Sequence, residues 1–323
     1  MKKLLLVFSV CCTGYLCGCT SHREAVEALP PLQPVAFDSV PSVDGLLSVT
    51  RLFVTGDLLV AYEETRDTLF SFWQLPDCRY LFRAGIRGNG PDDLLTLDRT
   101  FRETEEGFTA FELETSRMKE VAVDKAGHSL RIVSTKPFDG GAGFLNRFIF
   151  LKDGHYCCVS NDEKHEYLLL DNQGGVRPFG TYPEDLLPEK EGDLNRFVYN
   201  KLTVAAPSGE KFAAFYAYVK LCRMYDSEGR LLKETLLEQP RVADNGERQV
   251  YYASYPCATD EAIYVLTEVD GKPVLEVWDW DGKLTARYSL PCAFTALAYA
   301  PHDGVLYAVC AGEEKDLLYK LLL

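Results

Sequence analysis

Four copies of one turn, spaced at nearly constant intervals, constrain this chain more than any other feature. Asp124-Lys125-Ala126-Gly127, Asp171-Asn172-Gln173-Gly174, Asp226-Ser227-Glu228-Gly229 and Asp279-Trp280-Asp281-Gly282 each follow a short apolar run. Aspartate in the first position caps turn amides with its carboxylate, and glycine in the fourth accepts a left-handed φ, so each reads as a hairpin. With Asp77 of Leu75-Pro76-Asp77-Cys78 as an irregular first member, the aspartates lie 47, 47, 55 and 53 residues apart. A period of about 50 residues carrying four strands is the signature of propeller blades.

The apolar runs are rich in Val, Ile, Leu, Tyr and Phe, alternate with Gly, Asp, Asn and Pro, and show little helical periodicity. They divide into blades at about 47–84, 97–135, 144–180, 198–237 and 249–291. A sixth offers only three strands, at 294–299, 305–310 and 317–322. A lone strand-like run at 35–40 supplies the fourth, because an open ring would leave unpaired edges. The expected fold is an all-β six-bladed β-propeller whose ring closes by an N-terminal strand pairing with the C-terminal blade.

The start of the chain carries a different signal. Met1-Lys2-Lys3 precedes an uncharged run over 4–18 that is too short to span a bilayer, which needs roughly 20 apolar residues. The run ends in Leu16-Cys17-Gly18-Cys19, which resembles the bacterial lipobox: a leucine, two small residues, then the cysteine that takes the diacylglycerol. This divides the chain into a signal peptide (1–18), the lipidated Cys19 with a tether (19–34), and the propeller (35–323). Leu29-Pro30-Pro31-Leu32-Gln33-Pro34 favours extended backbone, so the tether is expected to be a leash of about 15 residues reaching about 45 Å. In lipoproteins of this kind an Asp after the cysteine marks inner-membrane retention; Thr20 stands there, implying the outer membrane, with the periplasmic and surface faces both open.

Removing residues 1–18 takes away two lysines and no acids, so the formal charge of −14 becomes −16. Such a body is repelled by a phosphate backbone, which excludes nucleic acid as a partner. Besides Cys19, the mature chain has cysteines at 78, 157, 158, 222, 257, 292 and 310, without zinc or redox spacing. They read as small buried hydrophobes. Cys157 and Cys158 are adjacent in a strand and should face opposite sides.

Leu81-Phe82-Arg83-Ala84-Gly85-Ile86-Arg87-Gly88-Asn89-Gly90-Pro91-Asp92-Asp93-Leu94 resembles the G-x-G-x-GP-x-[DE]-[FL] loop of the TolB-like six-bladed propeller lipoproteins. Tyr251-Tyr252-Ala253-Ser254-Tyr255, Val277-Trp278-Asp279-Trp280-Asp281-Gly282-Lys283 and Leu317-Leu318-Tyr319 follow that family's last blades in order. The resemblance covers most of 35–323 and is thinnest in blade three. It implies fold and envelope compartment, and brings no catalytic residues with it.

No cofactor or metal signature is present: the glycines of 87–91 lack a Walker lysine, and Asp279-Trp280-Asp281-Gly282 lacks the remaining calcium ligands. Ligand-contact candidates are Arg87 and Asn89 in the inter-blade loop, Arg147 and Arg196 near blade entrances, and Tyr199, Tyr251 and Tyr255. Alternation would send Tyr251 and Tyr255 to one face, where tyrosine offers apolar area with a hydroxyl. Each has a plainer reading as packing or bracing. Two functions follow: a non-enzymatic, membrane-anchored module binding a protein, peptide or glycan, or an envelope hydrolase or lyase using channel carboxylates.

Overall fold

A computed structural model describes residues 23–25, 28–40, 46–138, 145–187, 192–240, 247–311 and 317–323. Cys19 and the signal segment lie outside the described residues. Within them the strands form six sheets, each built on antiparallel strands consecutive in sequence and three of them extended by an N-terminal strand. Blade one is typical: Arg51–Thr55, Leu58–Tyr62, Thr68–Gln74 and Arg79–Ile86 in spatial order. The innermost strands of the other five are Leu97–Glu103, Ile149–Phe150, Lys201–Ala205, Cys257–Ala258 and Phe294–Ala300.

The repeated turns behave as their chemistry requires. Asp171 Oδ1 accepts from the Gln173 and Gly175 amides at 2.8 Å, and Gly174 takes φ 90°. Asp226 and Asp279 do the same for Glu228, Arg230, Asp281 and Lys283, with Gly229 and Gly282 at φ 78° and 76°. In the Asp124 copy the left-handed residue is His128 instead, one position later.

Each of the six gaps between neighbouring blades holds one apolar cluster. The cluster between blades one and two is largely aromatic, with Phe53 stacked on Phe101 at 4.6 Å and edge-on to Phe108 at 5.1 Å. Cys157 packs between blades three and four while Cys158 packs between two and three, so the adjacent thiols do face opposite sides. Burial raises the pKa of both, Cys158 to about 12. Cys292 and Cys310 form a disulfide within blade six, with Cα atoms 6.5 Å apart.

Ring closure occurs as expected. Ala36–Ser39 pairs antiparallel with Leu317–Leu322, from Ala36 opposite Leu322 to Ser39 opposite Tyr319. The segment before it is not a free leash. Leu32–Pro34 adds parallel to the outer strand of blade five, and Arg23–Ala25 adds parallel to the outer strand of blade four. Extended, proline-rich backbone suits an edge strand, where a missing N–H can face solvent. The N-terminal segment is therefore a strap over three successive blades.

Two local expectations differ. The run at 250–255 is irregular, and the innermost strand of blade five is only Cys257–Ala258. Tyr199 follows a short helix, Asn195–Val198, and the strand of blade four begins at Lys201. Removing residues 1–40 should cost at least about 3 kcal/mol of unfolding free energy, since the closing strand's four paired residues, at about 1 kcal/mol per hydrogen bond, are lost together with the three pairs of each strap strand. Urea denaturation checks this, and an unchanged midpoint and slope would contradict the closure.

Candidate functional site

The inner strands run in the same sense, so their first residues gather round one mouth of the central channel. Arg51, Asp98, Arg147, Asn200 and Tyr255 meet there, one from each of blades one to five. Asp98 Oδ2 accepts from the Arg147 backbone amide, and Oδ1 from the Thr100 amide at 3.1 Å. Burial pushes the Asp98 carboxyl up from the usual range against these bonds. Arg147 has a left-handed backbone, φ 53°, which costs a non-glycine residue about 1 kcal/mol or more. Its Nη1 donates to Asn200 Oδ1 and, at 2.8 Å, to the Lys201 carbonyl.

Arg51 sits beneath this rim. Its Nη2 donates to the Pro256 carbonyl at 3.0 Å, and its guanidinium carbon lies 5.4 Å from the centroid of the Tyr255 ring. Nη1 is buried without a hydrogen-bond partner, and no carboxylate among the described residues lies within ion-pair distance. Burial lowers the Arg51 pKa, with Cys257, Tyr255 and Asp98 opposing, yet a guanidinium remains charged.

Below Arg51 the channel widens into a cavity of about 400 Å³ whose wall draws on the inner strands of all six blades. Phe53, Phe101, Phe150 and Tyr299 supply its aromatic surface, and Arg102 and Glu103 its other charges. The Arg102 guanidinium carbon lies 5.9 Å from the Phe150 ring centroid. Glu103 Oε1 accepts from the Gly56 amide at 2.6 Å. Gly56 follows Thr55, so Glu103 belongs to the end of the cavity opposite Arg51. Among the described residues no group of three or more His, Cys, Asp or Glu side chains could hold a metal ion.

The sequence-derived candidates separate into several places. Arg147 and Tyr255 share the channel mouth. Arg87 turns away from it, donating to the Glu64 and Arg66 carbonyls, while Asn89 is exposed beside it. Their loop braces blades one and two: Lys119 Nζ reaches the Asp93 carbonyl at 3.1 Å, and the Ile132 amide reaches Asp92 Oδ1 at 2.9 Å. A Cβ on Gly88 or Gly90 would lie 2.4 or 2.7 Å from the Asp93 carboxylate, so a side chain at either position would need that carboxylate to move. Arg196 pairs with Glu163 at 2.9 Å. Tyr199 is buried against Tyr182 and lines a wide, open depression of about 790 Å³ between blades three and four. Tyr251 is 2% exposed and packs between blades four and five, because 250–255 is not a strand and alternation has no hold on it. Tyr251 and Tyr255 therefore do not share a face.

Sequence reasoning missed Arg51 and Arg102. A signal existed: residues 51, 98, 147, 200 and 255 are 47, 49, 53 and 55 positions apart, the blade period itself.

A buried chain of charges runs outward from the channel wall. Glu166 accepts from Lys201 at 3.1 Å, Arg223 at 2.8 Å and the hydroxyls of Tyr216 and Tyr225 at 2.7 and 3.0 Å. Arg223 Nε also donates to Glu234 at 2.6 Å, and Glu234 accepts from Arg23 of the strap.

No family model matches the sequence, and a search of curated proteins returns no match. Solved structures match by fold. A candidate exported protein from Bacteroides fragilis NCTC 9343 superposes with TM-score 0.56 at 11% identity, over 93% of this chain and 98% of that one. A DUF4221 family member from Bacteroides vulgatus ATCC 8482 gives 0.59 at 9%, covering 90% and 97%. The calcium-binding protein regucalcin from Agrobacterium tumefaciens C58 gives 0.52 at 12%, covering 91% and 95%. The chain is thus an all-β six-bladed propeller similar in fold to these Bacteroides proteins, the first of them a candidate exported protein.

Glu166→Gln should destabilise the fold by about 3–5 kcal/mol, because Arg223 and Lys201 lose their buried counter-charge. Glu163→Gln, at the part-exposed Arg196 pair, should change stability by less than about 1 kcal/mol. Equal midpoints for the two variants in chemical denaturation would show that the buried network carries no special weight.

Proposed function

We propose that the chain is an outer-membrane lipoprotein of the TolB-like kind, acylated on Cys19, that works as a non-enzymatic binding module for a protein, peptide or glycan. The observation that carries this is the channel mouth. Arg147 and Tyr255 stand at the rim, with Arg51 beneath them holding a donor that no protein group uses. A fixed, concave arrangement of polar groups over an apolar floor is a recognition surface.

The carboxylates favour binding over hydrolysis. Buried Glu63, Glu112 and Glu166 are committed to cations, hydroxyls and backbone amides within the blades. Glu276 is held by Lys220, Tyr252 and Trp278. In the channel, Asp98 and Glu103 stand at opposite ends of one strand, not as the close pair that glycoside chemistry uses. The calcium of regucalcin is not carried over, since among the described residues no group of three or more His, Cys, Asp or Glu side chains could hold a metal ion.

The strap sets how the module is held. Cys19 and Arg23 are four positions apart in the chain, and at about 3.6 Å per residue that stretch spans at most about 14 Å. The outer edge of blade four then rests close to the bilayer, much nearer than a 45 Å leash would place it.

Cys19→Ser should move the protein from the membrane pellet to the soluble envelope fraction; retention in the pellet would contradict the anchor. Affinity capture from envelope extracts tests the binding face. The double variant Arg147→Ala, Tyr255→Ala should lose components that the wild type retains, and identical recoveries would reject this face.

A further inference from the structure

We propose that the central cavity binds a small amphipathic carboxylate, with its anionic end on the Arg51 guanidinium and its apolar body against Phe53, Phe101 and Phe150. The proposal deepens the binding-module reading and rests on it for the biological use of the ligand.

The argument begins with an unbalanced charge. In a protein with a formal charge of −14, an arginine whose guanidinium nitrogen is buried would ordinarily be matched by a carboxylate. Three other buried cations follow that rule: Lys201 and Arg223 meet Glu166, and Lys220 meets Glu276. Arg287, on the outer strand of blade five, and Arg51 have no ion-pair partner among the described residues, and of the two only Arg51 lines the cavity. Asp98, the nearby carboxylate, already accepts the amides of Arg147 and Thr100. The Arg51 guanidinium spends Nη2 on a neutral carbonyl and leaves Nη1 buried and unused. A water molecule could take the hydrogen bond but would not balance the charge. An anion does both, and charge-assisted bonds to guanidinium are among the stronger ones.

The cavity supplies the remainder of the specification. About 400 Å³ lies within the range of small-molecule sites. Phenylalanine rings from blades one, two and three line it, which calls for an apolar body. Arg102, above the Phe150 ring and without an ion-pair partner among the described residues, adds positive potential. Glu103 is the wall's opposing charge; it is tied to the Gly56 amide at the end away from Arg51. Arg51 therefore sets the orientation, with the carboxylate at the mouth end of the cavity and the apolar body below it.

The test is ¹⁹F NMR on the full chain, using 4-fluorophenylacetate and its uncharged counterpart 4-fluorophenylacetamide. The acid should broaden and the amide should not. N-acetyl-4-fluorophenylalanine, also compared with its amide, separates a peptide C-terminus from a free small acid by which of the two acids binds more tightly. Arg51→Met should weaken acid binding by about tenfold or more, the loss of one charged hydrogen-bonded contact, and Arg102→Gln by about threefold. Equal broadening by acid and amide would overturn the proposal, as would unaltered acid binding in Arg51→Met or no acid binding at millimolar concentration. The acid–amide contrast is read in the wild type, so a poorly folding variant leaves the proposal exposed to refutation. If the acid binds but no envelope component is captured, the cavity stands and the module reading falls. If components are captured but the acid does not bind, the cavity proposal alone is overturned.

Discussion

Closure of the ring by the pairing of Ala36–Ser39 with Leu317–Leu322 is the constraint on which the other features depend. A propeller blade buries both faces against its neighbours, so no blade has a complete core until the circle is finished. Here the last blade is assembled from the two ends of the chain. The six inter-blade clusters, the channel wall and the convergence of residues 51, 98, 147, 200 and 255 all presuppose that circle. The strap extends the same logic outward: outer strands leave a row of unpaired amides and carbonyls, and the segment before Ala36 covers two of those edges.

Electrostatics divides the molecule into two regimes. Between the blades, buried carboxylates are matched by cations and hydroxyls, and the chain from Lys201 through Glu166, Arg223 and Glu234 to Arg23 joins the channel wall to the strap. In the channel the balance is different in sign: Arg51 and Arg102 lie in the wall without ion-pair partners among the described residues. Buried pairs that are fully satisfied make the blades specific, whereas the buried, unmatched Nη1 of Arg51 is a cost that a ligand can offset.

Much of the fold was legible because its signals are local. The Asp-x-x-Gly turns declare themselves by chemistry, and their spacing counts the blades. Opposite burial of Cys157 and Cys158 follows from strand geometry alone. What failed was non-local. The prolines of 29–34 announce extended backbone, but nothing in them names the blades they lie against. Tyr251 and Tyr255 look like alternate positions of a strand, yet the tertiary packing of Tyr251 and Tyr252 holds that run out of the sheet. Arg51 resembles any polar residue flanking an apolar run, and only the closed ring shows that its Nη1 is buried in a channel without a counter-charge among the described residues.

Amide hydrogen exchange on the intact chain tests ring closure and the strap most directly. The inward-facing amides of Ala36–Ser39 should be protected as strongly as those of Leu317–Leu322, with weaker but measurable protection at Leu32–Pro34 and Arg23–Ala25. Exchange of residues 36–39 at the rate of an unstructured peptide, while blades one to five stay protected, would contradict the account.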